Sequence, residues 1–237
     1  MRATSSNRSD LAMDGEFVDF AEQTGIQLEY LELSECVGRE ADVARTVPIS
    51  RRRLIQYSAG RWCAERAMER LGIWGQQVGR RDDGAPIWPS LVCGSISHST
   101  EIVIAVVSMR RDHLSLGVDC EALMPFDVRT DLLDQISVPR EREMTDAARL
   151  DADLGASLIF SSKESLYKCL WPLAGIFFDF SDACLTEVDS QRGTFQLQLT
   201  RSLASWEVGR AFAGRFTCLG DHVVTLIGLP CQSSSDV

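Results

Sequence analysis

Apolar residues recur at helical spacing in three stretches of the chain. The first stretch predicts a helix over 51–71, with Ser50 as its N-cap. Its apolar positions are Leu54, Tyr57, Ala64, Met68 and Leu71. Two further helices are predicted over 139–150 and 154–170, and the second should end before Pro172 because proline cannot donate a backbone hydrogen bond.

Short segments rich in β-branched and aromatic residues predict strands between and after these helices. They are 92–97, 102–109, 114–121, 177–188, 194–200, 211–217 and 222–229. A polar turn at 110–113 joins the second and third segments, so we predict that these two form an antiparallel hairpin. The last four segments predict a strand meander.

Each half of the chain offers one long helix and several antiparallel strands. This arrangement predicts an α+β protein made of two similar lobes, each with a long helix packed on an antiparallel sheet. We place the lobes at 16–115 and 116–230, with loose termini at 1–15 and 231–237.

Composition narrows the classes of function. The 237 residues are 45% hydrophobic and 24% charged, as in ordinary globular proteins, and the net charge of −10 argues against general nucleic-acid binding. The longest apolar run, 102–107, is too short to span a membrane, and the N-terminus lacks a signal-peptide pattern. We therefore expect a cytoplasmic protein without membrane association. Eight cysteines without a C-x-x-C pair are expected to be reduced thiols.

The distribution of basic residues is uneven. Of the 24 basic residues only Lys163 and Lys168 are lysines, and they flank Glu164. Lysine, unlike arginine, is a compact charge that readily gives up a proton, so these positions indicate chemistry; an ordinary i, i+4 ion pair between Glu164 and Lys168 is the alternative. Eight arginines lie within 51–81, which fits either a solvated helix face or a receptor for an anionic ligand.

Acidic residues close the strand predicted over 114–121. Alternation places Asp119 and Glu121 on one face and Cys120 on the other. Such a pair is stable facing solvent or around a hard cation such as Mg²⁺, and Glu164 on the lysine-bearing helix would add a third carboxylate. His98 is flanked by serines, which fits hydrogen bonding to a phosphate; a histidine in a loop, or one with its hydrogen bonds satisfied in the core, is the alternative.

Five motifs follow one another along the chain. They are Arg53…Gly60-Arg61, Gly84-Ala85-Pro86-Ile87-Trp88-Pro89, Gly94-Ser95-Ile96-Ser97-His98, Gly117-Val118-Asp119-Cys120-Glu121 and Phe160-Ser161-Ser162-Lys163-Glu164-Ser165-Leu166-Tyr167-Lys168. Together they resemble the large-type 4′-phosphopantetheinyl transferases, especially the enterobactin-synthase component D-like branch, over about residues 45–230.

The resemblance implies a pseudo-twofold monomer with its active site between the lobes. The N-terminal lobe would take the nucleotide side of coenzyme A, and the C-terminal lobe would carry the metal and the catalytic helix. The implied reaction moves 4′-phosphopantetheine from coenzyme A to a serine of an apo acyl, peptidyl or aryl carrier protein and releases adenosine 3′,5′-bisphosphate.

The resemblance also implies roles for individual residues. The implied ligands of Mg²⁺, with Mn²⁺ as the alternative metal, are Asp119, Glu121 and Glu164. The implied coenzyme A contacts are Arg53 and Arg61 at the nucleotide end, Ser97, His98 and Lys163 near the phosphates, and Lys168 on the transferred phosphate.

For two positions the resemblance implies a role less directly. Glu141 falls where relatives have a further acidic residue near the metal. Relatives often have a basic residue directly before the Gly-x-Pro-x-Trp-Pro motif, whereas this chain has Asp83, so Arg80 or Arg81 is the candidate replacement at the 3′-phosphate.

These roles lead to a mechanistic hypothesis. Glu164 would accept the proton of the carrier serine, directly or through a water, Lys168 would stabilise or protonate the departing bisphosphate, and His98 would assist at the phosphates. Two alternatives stay open: another Mg²⁺-dependent phosphoryl-transfer enzyme, and a catalytically silent module that binds carrier proteins or coenzyme A.

Overall fold

The structure, a computed structural model, describes residues 12–34, 49–125 and 132–231. In chain order its elements are α1 Gly15–Gln23, β1 Ile26–Glu32, α2 Ile49–Arg70, β2 Gly79–Arg80, β3 Pro86–Ile87, β4 Val92–His98, β5 Ile102–Met109, β6 His113–Ala122, α3 Pro139–Ala147, α4 Ala152–Ala174, β7 Ala183–Asp189, β8 Thr194–Leu199, β9 Ala211–Leu219 and β10 His222–Pro230. Most of the predicted loose termini at 1–15 and 231–237, namely residues 1–11 and 232–237, lie outside the described ranges. Asp14 caps α1 by accepting from two backbone N–H groups, so regular structure begins at Gly15, inside the predicted loose segment 1–15.

The three predicted helices are confirmed as α2, α3 and α4. Helix α4 runs past Pro172 to Ala174, contrary to the prediction that it ends earlier. A proline in the last turn removes only one hydrogen bond, and the helix instead ends at Gly175, whose left-handed backbone lets its N–H bond the carbonyl of Trp171. Helix α1 and strand β1 were not predicted.

The strands form two main antiparallel sheets. One has the order β1-β5-β4, and the other has the order β6-β10-β9-β8-β7. The predicted meander of the last four strands is confirmed. The predicted hairpin between β5 and β6 is wrong, because both edges of β5 are already occupied by β1 and β4, so β6 pairs with β10 instead.

The elements stack with a long helix outside each sheet. Helix α2 packs on one face of the three-stranded sheet, where Cys63, Ala67 and Met68 meet Val103 and other β5 residues. Helix α4 packs on the outer face of the five-stranded sheet. Between the sheets lies a third apolar cluster, which includes Ile104 of β5. Strand β5 is therefore buried on both faces, which explains its unbroken apolar sequence. The α+β class with two lobes is confirmed.

Gly117 sets the position of α4 over β6. A methyl group on Gly117 would lie 1.9 Å from the carbonyl oxygen of Ser165 and 2.7 Å from the backbone nitrogen of Cys169. The helix backbone therefore crosses the strand in direct contact, which only glycine permits. This crossing brings Lys168 of α4 beside Asp119 of β6. In the described parts of the chain, no helix combines the length and apolarity needed to cross a bilayer.

Candidate active site

Asp119 is the centre of the site. It is buried on the α4 face of β6, and its Oδ1 lies 2.5 Å from Lys168 Nζ and 2.8 Å from Ser97 Oγ. Lys168 Nζ also donates to Ser97 Oγ over 2.9 Å. Three elements, β4, β6 and α4, therefore contribute one side chain each to a single charged cluster. The alternation predicted for β6 is confirmed, since Cys120 packs in the apolar cluster between the two sheets, on the opposite face of the strand from Asp119.

The ion pair of Lys168 is not the one expected within its own helix. Lys168 pairs with Asp119 of β6 and bonds Ser97 of the N-terminal lobe rather than forming the ordinary i, i+4 surface pair with Glu164. Glu164 and Glu121 lie close enough to feel the charges of both partners. Burial raises the pKa of Glu164, with Lys168 opposing the rise. Burial, followed by the negative charge of Asp119, raises the pKa of Glu121 to about 7.

The donor chemistry of this cluster fits a hard cation. Asp119 Oδ2 is buried and has no hydrogen-bond partner among the described residues. Burial disfavours the charged forms of Glu121 and Glu164, and Lys168 compensates them only in part. Oxygen ligands and excess negative charge are what Mg²⁺ requires. Within the described ranges, however, no three Asp, Glu, His or Cys residues are gathered closely enough to form a metal site.

His98 and Arg53 border the same cluster. His98 is exposed at the end of β4, directly after Ser97. Partial burial of the ring and then the charge of Lys168 lower the pKa of His98, and Arg53 acts in the same direction. The imidazole is therefore neutral at pH 7, able to donate one hydrogen bond to an anion. Arg53 is exposed on α2.

Lys163 lies away from this cluster, contrary to the contact with the coenzyme A phosphates that the resemblance implies. It is buried in an ion pair with Glu141 at 2.9 Å, and it also donates to the carbonyls of Ile136 and Phe180. An ammonium has three donors, and all three are used. Glu141 accepts in addition from the backbone N–H groups of Val138 and Leu185, so the pair joins α3, α4 and β7.

The arginine block divides into different environments. Arg61 donates to the carbonyls of Val78 and Gly79 and lies over the ring of Tyr57. Arg80 lies over the same ring. Arg81 pairs instead with Asp83 at 3.4 Å. Carbonyl oxygens and an aromatic ring therefore hold Arg61, and the same ring lies under Arg80, so these two arginines are not simply solvated.

We predicted from the helical spacing that Tyr57 lies on the apolar face of α2, and this prediction is wrong. Its side chain is 36% exposed, and Leu54 is also exposed, whereas the buried positions of α2 include Ala59, Cys63 and Ala67. The sequence signal for the correct face was available, because Arg53, Tyr57 and Arg61 are spaced i, i+4, i+8 and so share one side of a helix. Small buried residues allow α2 to approach the sheet closely.

The raised pKa of Glu121 predicts how stability changes with pH. Below about pH 4.5 both the folded and the unfolded state are protonated at this residue; as pH rises toward 7 the unfolded state ionises first, so the folded state loses stability. In buffer with a metal chelator, Glu121→Gln should remove this loss and gain up to about 3 kcal/mol over wild type between pH 5 and pH 8. Urea unfolding at several pH values measures the difference, and parallel profiles for the two proteins would contradict it.

Known protein families match this chain along most of its length. The family model described as 4′-phosphopantetheinyl transferase N-terminal domain matches residues 39–108, and the model described as 4′-phosphopantetheinyl transferase superfamily matches residues 115–227. The chain is similar to the 4′-phosphopantetheinyl transferase Npt of Nocardia iowensis, with 36% identity over 216 residues, which cover 84% of this chain and 92% of that protein.

Two further relatives extend the comparison. The 4′-phosphopantetheinyl transferase Svp of Streptomyces mobaraensis is 40% identical over 163 residues, which cover 67% of this chain and 63% of Svp. Enterobactin synthase component D of Salmonella typhi is 30% identical over 177 residues, which cover 75% of this chain and 72% of that protein.

The two matched family models, which together cover most of both lobes, define the class of this protein as a group-transfer enzyme. The chain belongs to the 4′-phosphopantetheinyl transferase superfamily, whose members transfer 4′-phosphopantetheine from coenzyme A to carrier proteins. The family and the activity predicted from the motifs are confirmed, and neither alternative function finds support.

Proposed function

We propose that the cluster of Asp119, Glu121, Glu164 and Lys168 is where this chain carries out the transfer. The observation that carries the proposal is the convergence of Lys168 Nζ and Ser97 Oγ on one oxygen of a buried Asp119 whose other oxygen has no partner among the described residues. A buried carboxylate left half unsatisfied is costly, and this favours a site that is completed by a ligand.

Lys168 is proposed to act on the phosphate that is transferred. Its bonds to Asp119 and Ser97 fix the ammonium at the junction of the lobes, and its side chain is still 26% exposed, so a ligand can reach it. From there it contacts the transferred phosphate and donates a hydrogen bond to the bridging oxygen, which leaves with adenosine 3′,5′-bisphosphate as its bond to phosphorus breaks.

Glu164 is proposed to accept the proton of the carrier serine. Its raised pKa makes it a better base than an ordinary glutamate, and its side chain is only partly buried, so a partner protein can reach it. The serine oxygen then forms its bond to the phosphorus of 4′-phosphopantetheine, and adenosine 3′,5′-bisphosphate leaves.

Asp119, Glu121 and Glu164 are the residues that would hold Mg²⁺, or Mn²⁺ in its place. A bound cation of this kind would neutralise charge on the pyrophosphate. Neutral His98 and permanently charged Arg53 border the cluster and would hold phosphate oxygens of coenzyme A.

Acyl, peptidyl and aryl carrier proteins are the proposed acceptors, and the chain is proposed to act as a monomer in the cytoplasm. The described cysteines, including the exposed Cys218, are free thiols, which supports a reducing compartment. A panel of apo carrier proteins would establish which acceptors are used.

Lys168→Arg tests the proposed role of the ammonium. We expect kcat to fall at least about tenfold although the positive charge is kept, because a planar guanidinium does not fit the point contact with Asp119 and Ser97 and cannot supply a proton. Lys168→Met removes the charge as well, so its kcat should fall further. The rate of modification of an apo carrier protein measures both. An unchanged kcat in Lys168→Arg would reduce the role of Lys168 to electrostatics alone.

A further inference from the structure

Gln56 is a buried polar side chain of α2. It is 7% exposed, and its Nε2 donates to the backbone carbonyl of Ser99 over 2.9 Å. The two residues are 43 positions apart, so this bond joins α2 to the turn that follows β4. A buried amide bonded to a buried carbonyl holds the two segments together, because breaking the bond would leave both polar groups unsatisfied.

The turn that receives this bond carries His98 at its start. His98 ends β4, and Ser99 follows directly. The backbone N–H of Ser99 bonds the carbonyl of Ile102 over 2.8 Å, and Ser99 Oγ accepts from the backbone N–H groups of Glu101 and Ile102. The turn is therefore closed by its own hydrogen bonds, and Gln56 attaches it to α2. The backbone of His98 cannot shift relative to α2 without straining that attachment.

A second contact fixes the position of α2 along β4. Gly60 lies one turn after Gln56, and the i, i+4 spacing places both on the same side of the helix. A methyl group on Gly60 would lie 2.8 Å from Cγ2 of Ile96 and 3.6 Å from Cγ1 of Val103. The helix therefore packs directly on β4 and β5 at this point. Gly60 and Gln56 together determine where the first turns of α2 lie relative to the end of β4.

Arg53 is placed near His98 by the same arrangement. Arg53 precedes Gln56 by three residues on α2, and its side chain is exposed. Burial of the imidazole is the main cause of the lowered pKa of His98, and Arg53 is close enough to lower that pKa further. A guanidinium beside a neutral imidazole offers hydrogen-bond donors to one anion. These two donors come from different elements, and the bond between Gln56 and Ser99 joins those elements.

We infer that Gln56 is a positioning residue for the transfer reaction: through Ser99 it holds His98 beside Arg53, so that both donors meet one phosphate of coenzyme A. The inference rests on the proposed function, because that places phosphate oxygens at His98 and Arg53. Gln56 contacts the backbone of the turn and acts on the ligand through His98. A neutral amide suits this task, since it holds the turn without adding a charge next to the phosphate.

A double-mutant cycle measured by calorimetry with coenzyme A tests this inference. Gln56→Met keeps the length of the side chain and removes the donor, so it should weaken binding about tenfold, as His98→Ala should. Because Gln56 acts through His98, adding Gln56→Met to His98→Ala should weaken binding by less than about twofold more. Circular dichroism checks that each variant is folded, and Gln56→Asn, whose amide is too short to reach Ser99, should repeat the result with a smaller change in packing.

The matched control is Gln198→Met. Gln198 is an exposed residue of β8 that also donates from Nε2 to a backbone carbonyl, that of Gly209, over 2.9 Å. Its replacement should leave the affinity for coenzyme A unchanged in both backgrounds. In the transfer assay, Gln56→Met should raise KM for coenzyme A more than it lowers kcat, whereas a partly unfolded enzyme would lose kcat at unchanged KM.

The outcomes separate the inference from the proposed function. Normal binding by Gln56→Met, or an equal loss in the wild-type and His98→Ala backgrounds, would overturn the role of Gln56 and leave the proposed function in place. Normal binding by His98→Ala would overturn the phosphate contact of His98 and the inference with it. A coupled cycle in a protein that modifies no carrier protein would overturn the proposed function and still support the role of Gln56.

Discussion

Asp119→Asn should reduce transfer of 4′-phosphopantetheine by at least about a hundredfold, the scale expected when a group that organises charge at a reacting phosphate is removed. The asparagine side chain has the same size and can still accept the hydrogen bond from Ser97. It cannot neutralise Lys168, and it removes the buried charge available to a cation. The loss should therefore appear in kcat at saturating coenzyme A, measured by modification of an apo carrier protein.

The control for this variant is Asp146→Asn, an equal change at an exposed position on α3. It should leave both rate and stability unchanged. Circular dichroism should show that Asp119→Asn remains folded, because Asp119 lies on a strand whose packing comes from its apolar neighbours Val118 and Cys120. A folded Asp119→Asn protein with full activity would show that Asp119 is not part of the active site.

Lys163→Met should lower the free energy of unfolding by about 3–5 kcal/mol, because it leaves the carboxylate of Glu141 buried without its cation. Both side chains of the pair are almost fully buried, at 4% and 0% exposure. The measurement is urea unfolding in the absence of coenzyme A. The comparison is Arg142→Met, which breaks the exposed pair with Asp134 and should cost less than about 1 kcal/mol.

A double variant separates the two roles considered for Lys163. Adding Glu141→Gln to Lys163→Met removes the uncompensated charge and keeps one amide oxygen, which can accept from the backbone N–H of Val138 or of Leu185 but not from both, so part of the stability should return. If Lys163 instead contacted a phosphate of coenzyme A, Lys163→Met would bind coenzyme A more weakly and keep near-normal stability. Adding Glu141→Gln would then restore nothing.

Local patterns in the sequence were enough to find most elements of the fold. The continuous apolar run of β5 and the helical spacing of α4 predicted those elements directly. Which strands pair depends on contacts between residues far apart in the chain, and therefore the hairpin between β5 and β6 was predicted wrongly: β1, which takes one edge of β5, was not recognised. The extent of α4 depended on a glycine after its last turn rather than on Pro172.

The residues of the site were predictable only in part. Asp119 and Glu121 follow from strand alternation, and Lys168 from the scarcity of lysine. The separation of Lys168 from Lys163 could not be predicted, because both lie on one helix and only the packing of α3 and β7 against that helix buries Lys163. Tyr57 was missed since an aromatic residue at helical spacing usually indicates a core position.

The most direct test of the account is the mass of an apo carrier protein after incubation with coenzyme A, Mg²⁺ and this protein. We predict that the carrier serine gains one 4′-phosphopantetheine group, that one adenosine 3′,5′-bisphosphate is released for each group gained, and that a metal chelator, Asp119→Asn or Glu164→Gln stops the gain. Modification that proceeds at the wild-type rate in both variants would contradict the assignment of the site, and a carrier of unchanged mass across a panel of apo carrier proteins would contradict the proposed function.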